Sequence, residues 1–243
     1  MGVVGAETLS QEDIRQSVEA GLLTLGHEFT DQERQQLAHY LFLLNRWNRV
    51  HSLTAIDDLD GQVRRHLLDA LAVVPEVAQR VGQIDRNSDQ ERQHAPRIAD
   101  IGSGMGVPGI VWAIVMPQFR FDLIERQSKK AAFLRQVSAS LGLSNRVRVV
   151  EQDVTKIRGE PGYDLITSRA FAALPDFIEM TYGISAPNTL WAALMGQLKE
   201  EICEQTLLKM NNKINNVEVD KISYVSVPEL NEARHLVWLR RRS

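Results

Sequence analysis

A chain of 243 residues with 44% apolar and 24% charged residues is long enough to bury a full core as one large domain, or as one domain with an extension. No apolar run approaches the roughly 18 residues of a membrane span, and Met1 to Ser10 lacks the basic start and apolar stretch of a signal peptide. The net charge of −3 excludes a protein that holds nucleic acid by bulk positive charge, so any RNA contact needs a local basic patch; the single cysteine, Cys203, excludes an internal disulfide and fits a reducing cytoplasm.

Residues 1–83 read as a helical extension. Leu37, Tyr40, Leu41, Leu44 and Trp47 recur at three- and four-residue steps within Glu33 to Val50, which makes one apolar helix face. Thr30 or Asp31 is the expected cap. A second helical stretch is predicted over Leu59 to Val81. Residues 84–96 are polar, without a period, and read as a linker. Residues 97–243 form the main domain, where strands and helices alternate. Strands are predicted near Arg97–Gly102, Phe119–Glu125, Val147–Gln152, Tyr163–Ser168 and Thr189–Leu194. Helices are predicted near Val107–Met116, Ser128–Leu141, Pro175–Tyr182 and Gln197–Met210. Val217–Val227 and Arg234–Arg241 close the chain as two further strands. The alternation implies an α/β fold with a parallel sheet, and the two final strands imply an antiparallel hairpin at one edge.

The strongest local signal runs from Asp100 through Gly102, Gly104, Gly106, Pro108 and Gly109, between the first strand and its helix. Glycines there allow positive φ and close approach of a ligand to the backbone. The helix behind them is expected to aim free N–H groups at an anionic group, with Pro108 in its first turn. Glu125 ends the second strand, where a carboxylate can accept from both hydroxyls of a ribose. The glycine spacing is G-x-G-x-G, not the G-x-G-x-x-G of a dinucleotide site. A carboxylate at Asp100 would repel a pyrophosphate but suits a ligand carrying an ammonium and a sulfonium, which favours S-adenosylmethionine over NAD.

Several segments then make the chain recognisable: Leu44 to Arg49 with Leu53-Thr54, Arg65-His-Leu-Leu-Asp69, Asp100 to Ile110, Lys129-Lys130 with Phe133-Leu134, Ser168 to Phe171, and Gly196-Gln197. The chain resembles the 16S ribosomal RNA guanine-N7 methyltransferase family, also called glucose-inhibited division protein B, over roughly residues 35 to 240. The resemblance implies a class I S-adenosylmethionine-dependent methyltransferase fold. That fold is Rossmann-like, with a seven-stranded sheet whose last strand is antiparallel, behind an N-terminal helical extension. It implies that Gly102, Gly104 and Val107 line the methionine and ribose side of the cofactor. It further implies that Glu125 takes the ribose, Val154 and Thr155 lie along the adenine, and Arg169 stands near cofactor and substrate. Three departures stand out: Asp153-Val154-Thr155 replaces the family's common Arg-Ala-Glu, Met195 replaces a lysine before Gly196, and Glu125 replaces a frequent Asp. Asp153 is a second candidate acceptor, for the adenine amino group.

The expected reaction moves a methyl group from S-adenosylmethionine to N7 of a guanine in 16S ribosomal RNA or the small ribosomal subunit. N7 carries an in-plane lone pair and no proton at neutral pH, so no catalytic acid or base and no metal are expected. Phe171 has two readings, a ring stacked on the target base or a core side chain. Cys203, in a polar helical segment, is expected to be inert. Arg46, Arg49, Arg64, Arg65, Arg126, Lys129, Lys130 and Arg135 form either a phosphate-contacting patch or a solvated surface. Arg240-Arg-Arg242 reads as an exposed, frayed tail. His66 and Asp69 are expected to join the extension to the main domain by hydrogen bonds, and Trp47 to sit in the extension's core. The expected protein is a cytoplasmic monomer. The rival readings are a methyltransferase of a small molecule with the extension as a lid, and an inactive cofactor-binding protein docked on the ribosome.

Overall fold

The computed structural model describes residues 9–86, 95–158, 162–169, 173–197 and 216–242. Helices α1 (Gln11–Thr24) and α2 (Asp31–His51) both open on a capping box. The Ser10 and Thr30 hydroxyls accept from the N–H groups of Asp13 and Glu33, whose carboxylates accept in return from the cap N–H. Thr30, not Asp31, is therefore the cap of α2. The stretch predicted as one helix over Leu59 to Val81 is divided. It runs as α3 (Leu59–Gln62), a π-helical turn (Val63–Leu68) and α4 (Asp69–Leu71), then restarts as α5 (Val74–Arg86). Pro75 causes the restart, because its nitrogen has no hydrogen to donate to the Leu71 carbonyl. Helix α5 continues into the segment read as linker, since polar residues on a solvated face do not stop a helix as Gly or Pro does.

The sheet contains β1 (Arg97–Ile101), β2 (Arg120–Ile124), β3 (Val147–Val150), β4 (Tyr163–Arg169), β5 (Ser185–Met195), β6 (Val217–Val225) and β7 (Arg234–Arg241) in the order β3-β2-β1-β4-β5-β7-β6. Strands β1 to β5 are parallel, and β7 runs antiparallel to both β5 and β6. This is the class I methyltransferase arrangement, with the expected hairpin at one edge. Strand β5 begins at Ser185, earlier than expected from Pro187; a register shift between Tyr163 and Leu165 leaves residues 186–189 out of the ladder, which accommodates the proline. The helix expected over Gln197–Met210 lies outside the described residues from position 198 onward.

Alternate strand residues feed two cores. Ile98, Phe121, Leu123, Leu165 and Trp238 pack with α6 (Gly109–Val115), α7 (Ser128–Ser140) and the N-terminal helices. Ala99, Ile101, Ile124, Ile166 and Val237 pack with α8 (Leu174–Thr181) on the other face. The extension is tied to the first face by specific hydrogen bonds as well. The buried Trp112 indole of α6 donates to the Ala70 carbonyl (2.8 Å), Gln36 donates to the Leu141 carbonyl (2.7 Å), and the Trp47 indole donates to Gln136 (3.1 Å). Trp47 also meets the Phe133 ring at 5.5 Å. It seals the joint with α7 and is not confined to the extension's core. Among the described residues, no helix is long and apolar enough to cross a membrane.

Candidate functional site

The strand order reverses between β1 and β4, so the loops after these strands diverge and leave a crevice at their carboxyl ends. The glycine loop occupies it. Gly102, Gly104 and Gly106 have φ of 66°, 57° and 91°, left-handed values that a side chain resists. Gly109 is required for a different reason: a Cβ there would lie 2.6 Å from an Asp100 carboxylate oxygen and 2.4 Å from Leu123.

That contact corrects the expected role of Asp100. Its side chain is 1% exposed, and its Oδ2 accepts the Gly109 N–H at 3.0 Å, the first free donor of α6. Gly106 N–H goes to the Ser103 carbonyl, and Ile110 N–H to the Gly106 carbonyl. Pro108 stands just before the helix and has no N–H. The positive end of α6 is therefore closed by the chain's own carboxylate and does not await an anionic ligand. The exclusion of a pyrophosphate holds, through a helix end already satisfied by an acid. The other oxygen of Asp100 is buried without a hydrogen-bond partner. Burial pushes this carboxyl up to about 7, against the lowering pull of the Gly109 N–H, the Ser103 hydroxyl and the Arg169 charge.

Glu125 follows β2 and is buried, with Oε2 accepting from Gly104 N–H (3.0 Å) and Oε1 from Gln127 N–H (2.8 Å). Each oxygen keeps a lone pair. A cavity of about 390 Å³ opens beside it, lined by Ile101, Gly102, Ile124, Val154, Asp153 and Arg169, with Arg126 and Lys130 at its edge. Apolar walls flanked by carboxylates suit an adenosine: a purine face against Ile101, Ile124 and Val154, and ribose hydroxyls donating to Glu125. Of the candidate cofactor residues, Gly102, Glu125, Asp153, Val154 and Arg169 share this cavity. Gly104 touches it through its hydrogen bond to Glu125. Val107 is buried in the core beneath the loop, and Thr155 is exposed on the short 3₁₀ turn Val154–Lys156. The Asp153 carboxylate accepts from both the N–H and the hydroxyl of Thr155, which together hold it below its ordinary value.

A second cavity of about 340 Å³ lies next door, over the ends of β4, β5 and β7. Its lining includes Ser168, Leu174, Phe177, Met195, Gly196, His235, Asp69 and Arg234, and Arg169 is common to both cavities. Asp69 joins the extension to this edge as expected: it accepts from Arg234 Nε at 3.0 Å and from Arg169 Nη1 at 3.4 Å. Arg169 also donates to the Arg65 carbonyl at 2.9 Å. His66 differs from expectation. Its Nε2 meets the Thr54 hydroxyl at 2.9 Å inside the extension, and its Nδ1 is buried without a partner. Burial, aided by the Arg169 charge, pushes the imidazole down to about 4, so it is neutral near pH 7.

The second cavity did not read as one site in the sequence: Asp69, Ser168, Arg169, Met195 and Gly196 belong to segments that carry the resemblance, but only the fold brings these separate stretches together with Arg234 and His235. Gln127 was within reach as the residue after the turn that follows Glu125. Tyr40 read as one more apolar position, yet its hydroxyl donates to the Met105 carbonyl at 3.0 Å and steadies the glycine loop. Several proposed phosphate contacts are already engaged: Arg64 with Glu229, Arg65 with Glu232 and Arg135 with Glu151. Arg240 and Arg241 are no frayed tail. They belong to β7, where Arg240 pairs with Glu218 and Asp220 and Arg241 bonds Ser185 over the Tyr182 ring. Arg242 also lies near Glu218. Phe171 and Cys203 lie outside the described residues.

The family model described as GidB, rRNA small subunit methyltransferase G, matches residues 33–237. A protein of Methylibium petroleiphilum called Ribosomal RNA small subunit methyltransferase G is 35% identical over 229 residues, covering 94% of this chain and 95% of its own. One of the same name from Ectopseudomonas mendocina is 38% identical over 221 residues, covering 91% and 93%. A solved SAM-dependent methyltransferase of Thiobacillus denitrificans overlaps 71% of this chain and 98% of its own at a TM-score of 0.45 and 10% identity.

Proposed function

This chain belongs to the rRNA small subunit methyltransferase G family, and from that premise we propose that it transfers the methyl group of S-adenosylmethionine to N7 of a guanine in 16S ribosomal RNA. The observation that carries the reading is the pair of adjoining cavities that meet at Arg169. One has the chemistry of an adenosine site and the other has room for a base. Gly102 and Gly104 serve the methionine and ribose side, Glu125 the ribose and Val154 the adenine, while Val107, buried beneath the loop, and Thr155, outside the cavity, would reach the cofactor only through their backbone.

The bound cofactor supplies an electrophilic methyl on sulfur. Glu125 would hold the ribose hydroxyls through the lone pairs its two oxygens keep. Arg169 stands at the passage between the cavities. Phe177 and Leu174 wall the acceptor side and exclude water. Guanine N7 presents its lone pair without losing a proton, so placement is the main demand on the protein, worth about 7–11 kcal/mol of barrier. No side chain has to act as acid or base. In this reading residues 1–83 are the extension, whose last helix runs on to Arg86 into the 84–96 linker, and 97–243 the methyltransferase domain of a cytoplasmic monomer.

The test offers labelled S-adenosylmethionine with purified small subunits, naked 16S RNA or a metabolite pool. Label in the RNA, released as 7-methylguanine, is the expected result. Label confined to small molecules would overturn it in favour of the lid reading. Cofactor binding with no label anywhere would favour an inactive docking protein.

A further inference from the structure

We propose that Arg234, oriented by Asp69, donates one hydrogen bond to O6 of the target guanine and so selects guanine over adenine; the inference rests on the N7 reading above. Arg234 opens β7 at the carboxyl edge of the sheet and faces the second cavity. Its guanidinium is anchored twice: Nε donates to Asp69 at 3.0 Å and Nη1 to the Ala233 carbonyl at 3.1 Å. Both N–H groups of Nη2 and the second N–H of Nη1 are left for a ligand.

That restriction matters chemically. The Hoogsteen edge of guanine presents two acceptors, N7 and O6, and a free arginine fork binds both at once. Such a fork would occupy the N7 lone pair that must attack the methyl. With Nε held by Asp69, the side-on fork of Nε and Nη2 is closed, and one Nη2 N–H directed at O6 leaves N7 open. Adenine presents an amino group in place of O6, and donor would then face donor. Asp69 is a positioning residue. Its side chain is 7% exposed, so it does not offer itself to the base, and its charge offsets one of the two arginines beside a product that becomes cationic.

The test uses small subunits reconstituted with 16S RNA in which the guanosine modified by the wild-type protein is replaced by inosine or by 2-aminopurine riboside. Inosine keeps O6 and N7, whereas 2-aminopurine keeps N7 and lacks O6. Wild type is expected to methylate guanosine and inosine comparably and 2-aminopurine about 10- to 100-fold less well, the worth of one charged hydrogen bond. Arg234→Gln and Asp69→Asn should lower kcat/KM on guanosine toward the 2-aminopurine value while leaving 2-aminopurine unchanged. Heat of S-adenosylmethionine binding reports that each variant is folded, and Arg234→Lys serves if Gln fails that check. Undiminished preference for guanosine over 2-aminopurine in a folded Arg234 variant would overturn the assignment. Wild-type label anywhere other than N7 would instead sink the underlying reading.

Discussion

Asp100 and Asp122 stand on neighbouring strands, diagonal across the β1–β2 ladder, and face opposite sides of the sheet. Both are buried carboxyls, yet their surroundings differ as much as the two ends of the molecule do. Asp122 looks away from the cavities. Arg97, Arg148 and Tyr163 donate to it at 2.6 to 3.1 Å. Burial pushes its carboxyl up, but these three donors pull harder, and the net lies below its ordinary value. Asp100 has one donor, an oxygen without a partner, and a pKa raised by burial to about 7. Hydrogen bonding to the carboxyl is complete at Asp122 and left short at Asp100, beneath the glycine loop.

Breaking the satisfied end should cost the most. Asp122→Ala removes the buried acceptor shared by Arg97, Arg148 and Tyr163, and a loss of about 3 kcal/mol is expected in urea unfolding, with S-adenosylmethionine affinity nearly unchanged. A loss in affinity as large as the loss in stability would erase the contrast between the two regions. Glu125→Ala should do the converse. Cofactor affinity by titration calorimetry is expected to fall about 10- to 100-fold, while stability shifts far less.

The pH dependence sharpens the same comparison. The raised pKa of Asp100 means the native state holds its proton longer than the unfolded chain. Its contribution to stability is full below about pH 4 and is lost as pH rises toward about 7, with a slope of at most about 1.4 kcal/mol per pH unit. Asp122 has the opposite sign: its contribution is present at neutral pH and is lost as pH falls below the ordinary carboxylate range. Asp100→Asn should flatten the stability curve between pH 4 and 7; an unaltered slope would show that the carboxyl is not so perturbed. The smallest effect is expected from Tyr40→Phe. Loss of its bond to Met105 should cost about 1 kcal/mol in stability and weaken the cofactor severalfold.

Local patterns carried most of the fold. The alternation from Arg97 onward placed every described strand, and Gly102 to Gly109 with Glu125 marked the crevice, because turns and strand ends are decided by neighbouring residues. Long-range partnerships were not legible. Nothing near Asp100 shows that Gly109 would take its carboxylate, or that Trp47 would reach Gln136, or that Arg240 would find Glu218 and Asp220. The π-helical turn escaped too. It adds a residue to one turn and carries Asp69 to Arg169 and Arg234, but an Arg-His-Leu-Leu-Asp run has no local feature that demands it.

The N-terminal helices and the π-helical turn contribute Val18, Leu41, Leu67 and Val77 to the same apolar mass as Val111, Phe133 and Trp238. The two parts therefore melt as one. Heating should give a single endotherm whose calorimetric and van't Hoff enthalpies agree. Cutting the chain between them would expose the Trp112 indole and its neighbours, leaving no independently folded fragment on either side.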